Sequence, residues 1–190
     1  MRPKYLIGLT LAVLVFVTCV SLVLVFVTTR GRDSTEDQLI EGLRPYQEQL
    51  AFEIIVPSYL PTGTSRTPTE VSVDGQDVEF FLRVVEEGEH YPWELADVYV
   101  RQARLEKEEC GNQGFVSSRE TVDIAGERAY VLRFSTGDPV ILGYTAELSG
   151  ICMTVQFAWH SRDLSHIELS PEMEREATRG FESMVENSRE

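Results

Sequence analysis

From Leu6 to Thr29 the chain runs through 24 residues without a charge or a proline. As a helix at about 1.5 Å per residue, such a run reaches roughly 36 Å, enough to cross the hydrocarbon of a bilayer with some tilt. A cleaved leader would have an apolar core of about 7–15 residues followed by a small-x-small site. Here the run is longer and ends in Val27-Thr28-Thr29-Arg30. The expectation is therefore an uncleaved transmembrane helix over residues 6–29. Cys19 follows Phe16-Val17-Thr18 and lies inside the apolar run, which argues against a lipidated cysteine.

Positive charges flank the span on both sides, Arg2 and Lys4 before it and Arg30 and Arg32 after it, so the positive-inside count is nearly balanced. The five-residue tail and the acidic turn at Asp33, Glu36 and Asp37 favour a cytoplasmic N-terminus and an extracytoplasmic C-terminal domain. The expected localisation is thus the cell membrane, single-pass. Of the 17 basic residues, four precede Asp33; the remaining 13 face all 31 acidic ones, a net charge of −18 on the C-terminal part. Such a surface repels nucleic acid and anionic lipid headgroups.

The expected organisation is a tail at 1–5, the span at 6–29, a juxtamembrane linker at 30–50 and a folded domain at 51–190. The linker is polar, with Leu39, Ile40, Leu43 and Leu50 as its only aliphatic residues, and because Pro45 interrupts any helix through it, only a short helical piece is expected there. The Ala51–Val56 run, rich in β-branched residues, reads as a strand stopped by Pro57. Leu60-Pro61-Thr62-Gly63 has turn chemistry. The runs at 70–73 and 78–85 flank Asp74-Gly75-Gln76-Asp77, a hairpin signal. Residues 97–105 alternate as a strand, and Trp93–Ala96 before them could open a helix instead. Residues 122–124 and 129–134, then 141–147 and 151–159, predict two more hairpins. At the end the period changes: Ser170 can cap, Pro171 suits the first helical position, and Met173, Ala177, Phe181, Met184 and Val185 share one face. The fold class expected is α+β, an antiparallel sheet of about seven or eight strands with a C-terminal amphipathic helix packed on one face.

The segment Val56-Pro57-Ser58-Tyr59-Leu60-Pro61-Thr62-Gly63 resembles the P-x-x-L-P-x-G opening of a family of bacterial membrane-anchored extracytoplasmic domains, some attached to anti-sigma factors. Val122-Asp123-Ile124-Ala125-Gly126-Glu127-Arg128-Ala129 is similar to that family's V-x-I-x-G-x-x-A hairpin. The closing helix, ending Phe181-Glu182-Ser183-Met184-Val185-Glu186-Asn187-Ser188, is similar to its terminal helix. The resemblance covers about residues 52–188 and implies an accessory or sensory domain outside the cytoplasm, some relatives being compared with lipoprotein-carrier-like sheets. The chain departs from the anti-sigma pattern, because Met1–Tyr5 is too short for a sigma-binding domain.

No nucleophile or metalloprotease motif and no phosphate-cradling glycine loop occurs in the sequence, so neither an enzyme nor a cofactor is expected. His160 and His166 fall in a run read as a surface loop, and no metal is expected there. The acidic runs at 86–89 and 106–109 lack the alternation of a Ca²⁺ loop. Tyr91, Trp93, Tyr99, Phe115, Tyr144, Phe157 and Trp159 are either core or the lining of a groove between sheet and helix. The leading functional expectation is a non-enzymatic binding or sensory module for an apolar or peptide ligand or a protein partner, with Tyr91, Trp93, Tyr99, Tyr144, Phe157 and Trp159 as candidate ligand contacts. The alternatives are a structural subunit of an envelope complex and, further off, a hydrolase. Cys110 and Cys152, the only cysteines after the span, form an even pair suited to an oxidising compartment and are expected to be bonded.

Overall fold

The computed structural model describes residues 36–61, 64–83, 93–104, 110, 120–137, 139–161 and 167–189, with only the backbone described at 93–96 and 161. The expected span at 6–29 lies outside these residues, as do Tyr91, Phe115, His166 and the two acidic runs. Among the described residues no helix is long and apolar enough to cross a membrane.

Three tight turns build most of the sheet. Strand β1 (Glu70–Asp74) returns as β2 (Asp77–Leu82) through Gly75, whose φ of 63° suits a residue without a Cβ. Strand β4 (Thr121–Ile124) returns as β5 (Glu127–Phe134) through Ala125 and Gly126, both at positive φ. The Asp123 carboxylate accepts from the Gly126 amide at 3.1 Å there. Strand β7 (Val140–Leu148) returns as β8 (Ile151–Ser161) through Ser149 and Gly150, again both at positive φ. Strand β3 spans Trp93–Ala103, so the alternative of a helix opening at Trp93 is not adopted. All pairings are antiparallel, and the order is β1-β2-β3-β8-β7-β5-β4. Two meanders, β1-β2-β3 and β4-β5-β7-β8, thus meet where β3 pairs with β8. A two-stranded ribbon of β6 (Thr136–Gly137) and β9 (Ile167–Glu168) stands apart and is too short to leave a periodic signal in the sequence.

Alternation sorts the side chains into two faces. On one, Phe80, Val100, Val155, Tyr144 and Val131 lie side by side across five strands, and all are buried. Two helices cover this face: α1 (residues 36–47) and α2 (Pro171–Asn187). Helix α2 forms as its sequence predicts. The Ser170 Oγ accepts from the Met173 amide at 3.2 Å, Pro171 opens the first turn, and Met173, Ala177, Phe181, Met184 and Val185 are buried against the sheet. Gly180 lets α2 approach closely, since a Cβ there would lie 2.6 Å from the Phe157 ring.

Helix α1 is the short helical piece expected in the linker, but it packs into the core. Leu39 and Leu43, one turn apart, are fully buried in the same core as the sheet, so the folded part begins before residue 51. Pro45 sits in the last turn of α1, and the helix ends two residues beyond it.

The strand expected at Ala51–Val56 does not form. Residues 52–59 are an extended strap without a strand partner. Their backbone groups are met by side chains instead: Gln47 donates to the Phe52 carbonyl and accepts from the Ile54 amide. Gln102 does the same for Ile55, Asn187 donates to the Val56 carbonyl, and the Ser183 hydroxyl accepts from the Tyr59 amide. Ile54, Ile55 and Val56 are buried, which explains their β-like composition without a sheet register.

Cys110 and Cys152 form the expected disulfide, with Cα atoms 5.4 Å apart and both residues buried. Cys152 pairs with Ala103 on the sheet face opposite the helices.

Candidate functional site

The four aromatic candidates whose side chains are described do not share one face of the sheet. Tyr144, Phe157 and Trp159 are on the helix-covered face, at most 5 % exposed. Tyr144 packs on Phe181 with centroids 5.2 Å apart, and Phe157 stacks on Trp159 at 6.2 Å. The Tyr144 hydroxyl lies 2.9 Å from Thr178 Oγ1; burial pushes its pKa up, partly offset by that bond. Tyr144 and Phe157 thus pack against α2, and Trp159 backs Phe157. Tyr99 is on the opposite face, against Phe81 with centroids 4.9 Å apart. Its hydroxyl is also raised, first by burial and then by Glu79. Trp93 lies in β3, outside the description of side chains, and Tyr91 lies outside the described residues. His160, expected in a loop, is a strand residue of β8 with Nε2 3.6 Å from the Asp97 carboxylate. Among the described residues no three His, Cys, Asp or Glu side chains gather as metal ligands.

A cleft lies elsewhere, along α1 beside the strap, the β7–β8 turn and the end of α2. Its volume is about 570 Å³, within the range of small-molecule sites. Leu43, Ile54 and Ile151 form an apolar floor continuous with the core, and half-buried Phe52 and exposed Ile40 line it further out. Ile40 is 43 % exposed, one of two large apolar side chains so exposed among the described residues. Residues 36, 40, 43, 44 and 47 recur at helical spacing, so one stripe of α1 forms one wall. The opposite wall joins two elements: Ser149 in the β7–β8 turn donates to the Ser188 carbonyl at 2.7 Å, just past the end of α2. The rim carries Glu36, Arg44 and Glu53, and the amides of Gln47 and Asn187 are spent on holding the strap.

The strap is further fixed at Tyr59. Its hydroxyl donates to Glu176 at 2.6 Å, and the Arg179 guanidinium lies 4.1 Å over its ring. Burial, then the bond to Glu176, pushes the Tyr59 hydroxyl up to about 12.

Sequence reasoning missed both the cleft and Gln102. The available signals were Leu39 and Leu43 at i, i+4 with Ile40 beside them, and a glutamine at an inward position of β3 after Val98 and Val100. No family model matches the chain, and neither a curated protein nor a solved structure matches it.

Proposed function

We propose that the chain is a single-pass, membrane-anchored extracytoplasmic module that binds a ligand without chemistry, with the α1 cleft as its binding site. The observation that carries this reading is the cleft itself: an apolar floor, a mouth left partly open at Ile40, and a few charged groups confined to the rim. That combination suits recognition of an apolar body with a polar end. The uncharged run at 6–29 supports the anchor, and the Cys110–Cys152 bond suits an oxidising compartment. An accessory or sensory role, as in the family whose P-x-x-L-P-x-G opening the strap resembles, follows from this reading.

Titration of the full chain in detergent with a solvatochromic apolar dye tests it. Saturable fluorescence enhancement that is lost in Ile40→Glu and kept in Phe134→Glu supports the cleft. Phe134, the other large apolar side chain so exposed among the described residues, ends β5 opposite Ile141 of β7 and serves as the control. Equal binding by both variants contradicts the assignment.

A further inference from the structure

We infer that the ligand of the cleft is the acyl chain of a bilayer phospholipid, taken from the membrane that anchors the chain. The inference rests on the proposed anchor and cleft and adds the ligand's class and source. Only seven residue steps separate Thr29, the end of the apolar run, from Glu36 at the cleft rim. Fully extended, they reach about 24 Å, and one turn of α1 adds roughly 6 Å to Ile40. The cleft mouth is thus confined near the bilayer surface, where lipid is at the high effective concentration that tethering imposes.

The interior fits this occupant. An alkyl chain needs no hydrogen-bond partner, and the floor of Leu43, Ile54 and Ile151 offers none. The volume suits one acyl chain rather than two, so the second chain stays in the bilayer and the lipid is shared rather than extracted. Charge selects the headgroup. An anionic lipid meets a domain of net charge −18. A zwitterionic amino-phospholipid sets its phosphate near Arg44 and its ammonium near Glu53, two opposite charges on the same rim.

Reconstituting the full chain into phosphatidylethanolamine–phosphatidylcholine vesicles, doped with a phospholipid bearing a diazirine in its acyl chain, tests the inference. Irradiation should label peptides covering residues 40–56 and Ile151 as well as the 6–29 run. Ile40→Glu should lower labelling of residues 40–56 about tenfold, the loss expected when one apolar contact gives way to a buried charge. Phe134→Glu should leave it unchanged, and neither variant should shift the thermal unfolding midpoint. Labelling confined to 6–29 overturns the lipid inference while leaving the anchor and the dye result standing. Failure of the protein to float with the vesicles removes the anchor and the inference together. Labelling of residues 40–56 only by a phosphatidylglycerol probe contradicts the headgroup assignment.

Discussion

The side chain of Gln102, fully buried in β3, pairs with the backbone of Ile55 as a neighbouring strand would: Oε1 accepts from the Ile55 amide at 2.9 Å and Nε2 donates to its carbonyl. One side-chain amide thereby satisfies both polar groups of a residue that has no sheet partner. Replacing it leaves two buried backbone groups unpaired, each costing about 1–3 kcal/mol. Gln102→Leu should therefore lower stability by roughly 2–4 kcal/mol in urea denaturation even though it adds apolar surface. A variant as stable as the parent would show that the strap does not depend on this pair.

Gln102→Glu adds a pH dependence with a defined sign. A protonated carboxyl can donate to the Ile55 carbonyl, whereas a carboxylate faces that carbonyl with like partial charge and is desolvated, so its folded pKa is raised above the usual value of about 4.3. The stability then present below the unfolded pKa is lost as pH rises through the folded one. The deficit relative to the parent should be small near pH 4 and large near pH 8. A deficit independent of pH contradicts this geometry.

Tyr59 gives an alkaline signature. Its hydroxyl is held up to about 12, first by burial and then by Glu176. A raised folded pKa stabilises fully below the unfolded value of about 10, and the contribution fades between about 10 and 12. Tyr59→Phe should be less stable than the parent by about 0.5–1.5 kcal/mol at pH 8, and the gap should narrow as pH rises through that window. A gap that widens there would reverse the assignment.

Gly180 illustrates a local preference overruled by packing. In an exposed helix Gly→Ala gains about 1 kcal/mol, but here the new Cβ would lie 2.6 Å from Cζ of Phe157, itself buried and stacked on Trp159. Overpacking costs about 1–3 kcal/mol, so Gly180→Ala should destabilise. A raised thermal midpoint would mean that α2 and β8 have room the structure does not give them.

Much of the architecture was legible because its signals are local. The turns at Gly75, Gly126 and Gly150 each announce a hairpin, and Ser170-Pro171 with the Met173–Val185 stripe announces α2. What escaped depends on partners remote in sequence. Ile54-Ile55-Val56 has strand composition, but whether its backbone meets a strand or the amides of Gln47, Gln102 and Asn187 is decided elsewhere in the chain. The aromatic candidates whose side chains are described divide between two faces for a related reason. Register places Tyr144, Phe157 and Trp159 under α2 and Tyr99 on the reverse face, and composition carries no register. Leu39 and Leu43 marked the short helical piece that α1 supplies, but nothing local to the segment announced that it would dock into the core of the sheet.

The disulfide is the strongest covalent restraint on the fold. It closes a separation of 42 residues between Cys110 and Cys152, for which loop entropy gives up to about 4 kcal/mol. The double variant Cys110→Ser/Cys152→Ser should lose a large part of that in denaturant titration. Neither Cys110 nor Cys152 of the protein from its native source should react with a thiol reagent before reduction; free thiols would place the domain in a reducing compartment.

Reporter fusions decide on which side of the membrane the C-terminal domain stands. Fused after Glu190, an alkaline phosphatase that is active only outside the cytoplasm should be active in cells, and a reporter that fluoresces only in the cytoplasm should be dark. The opposite pattern, a dark phosphatase with a bright cytoplasmic reporter, would contradict an anchored extracytoplasmic module.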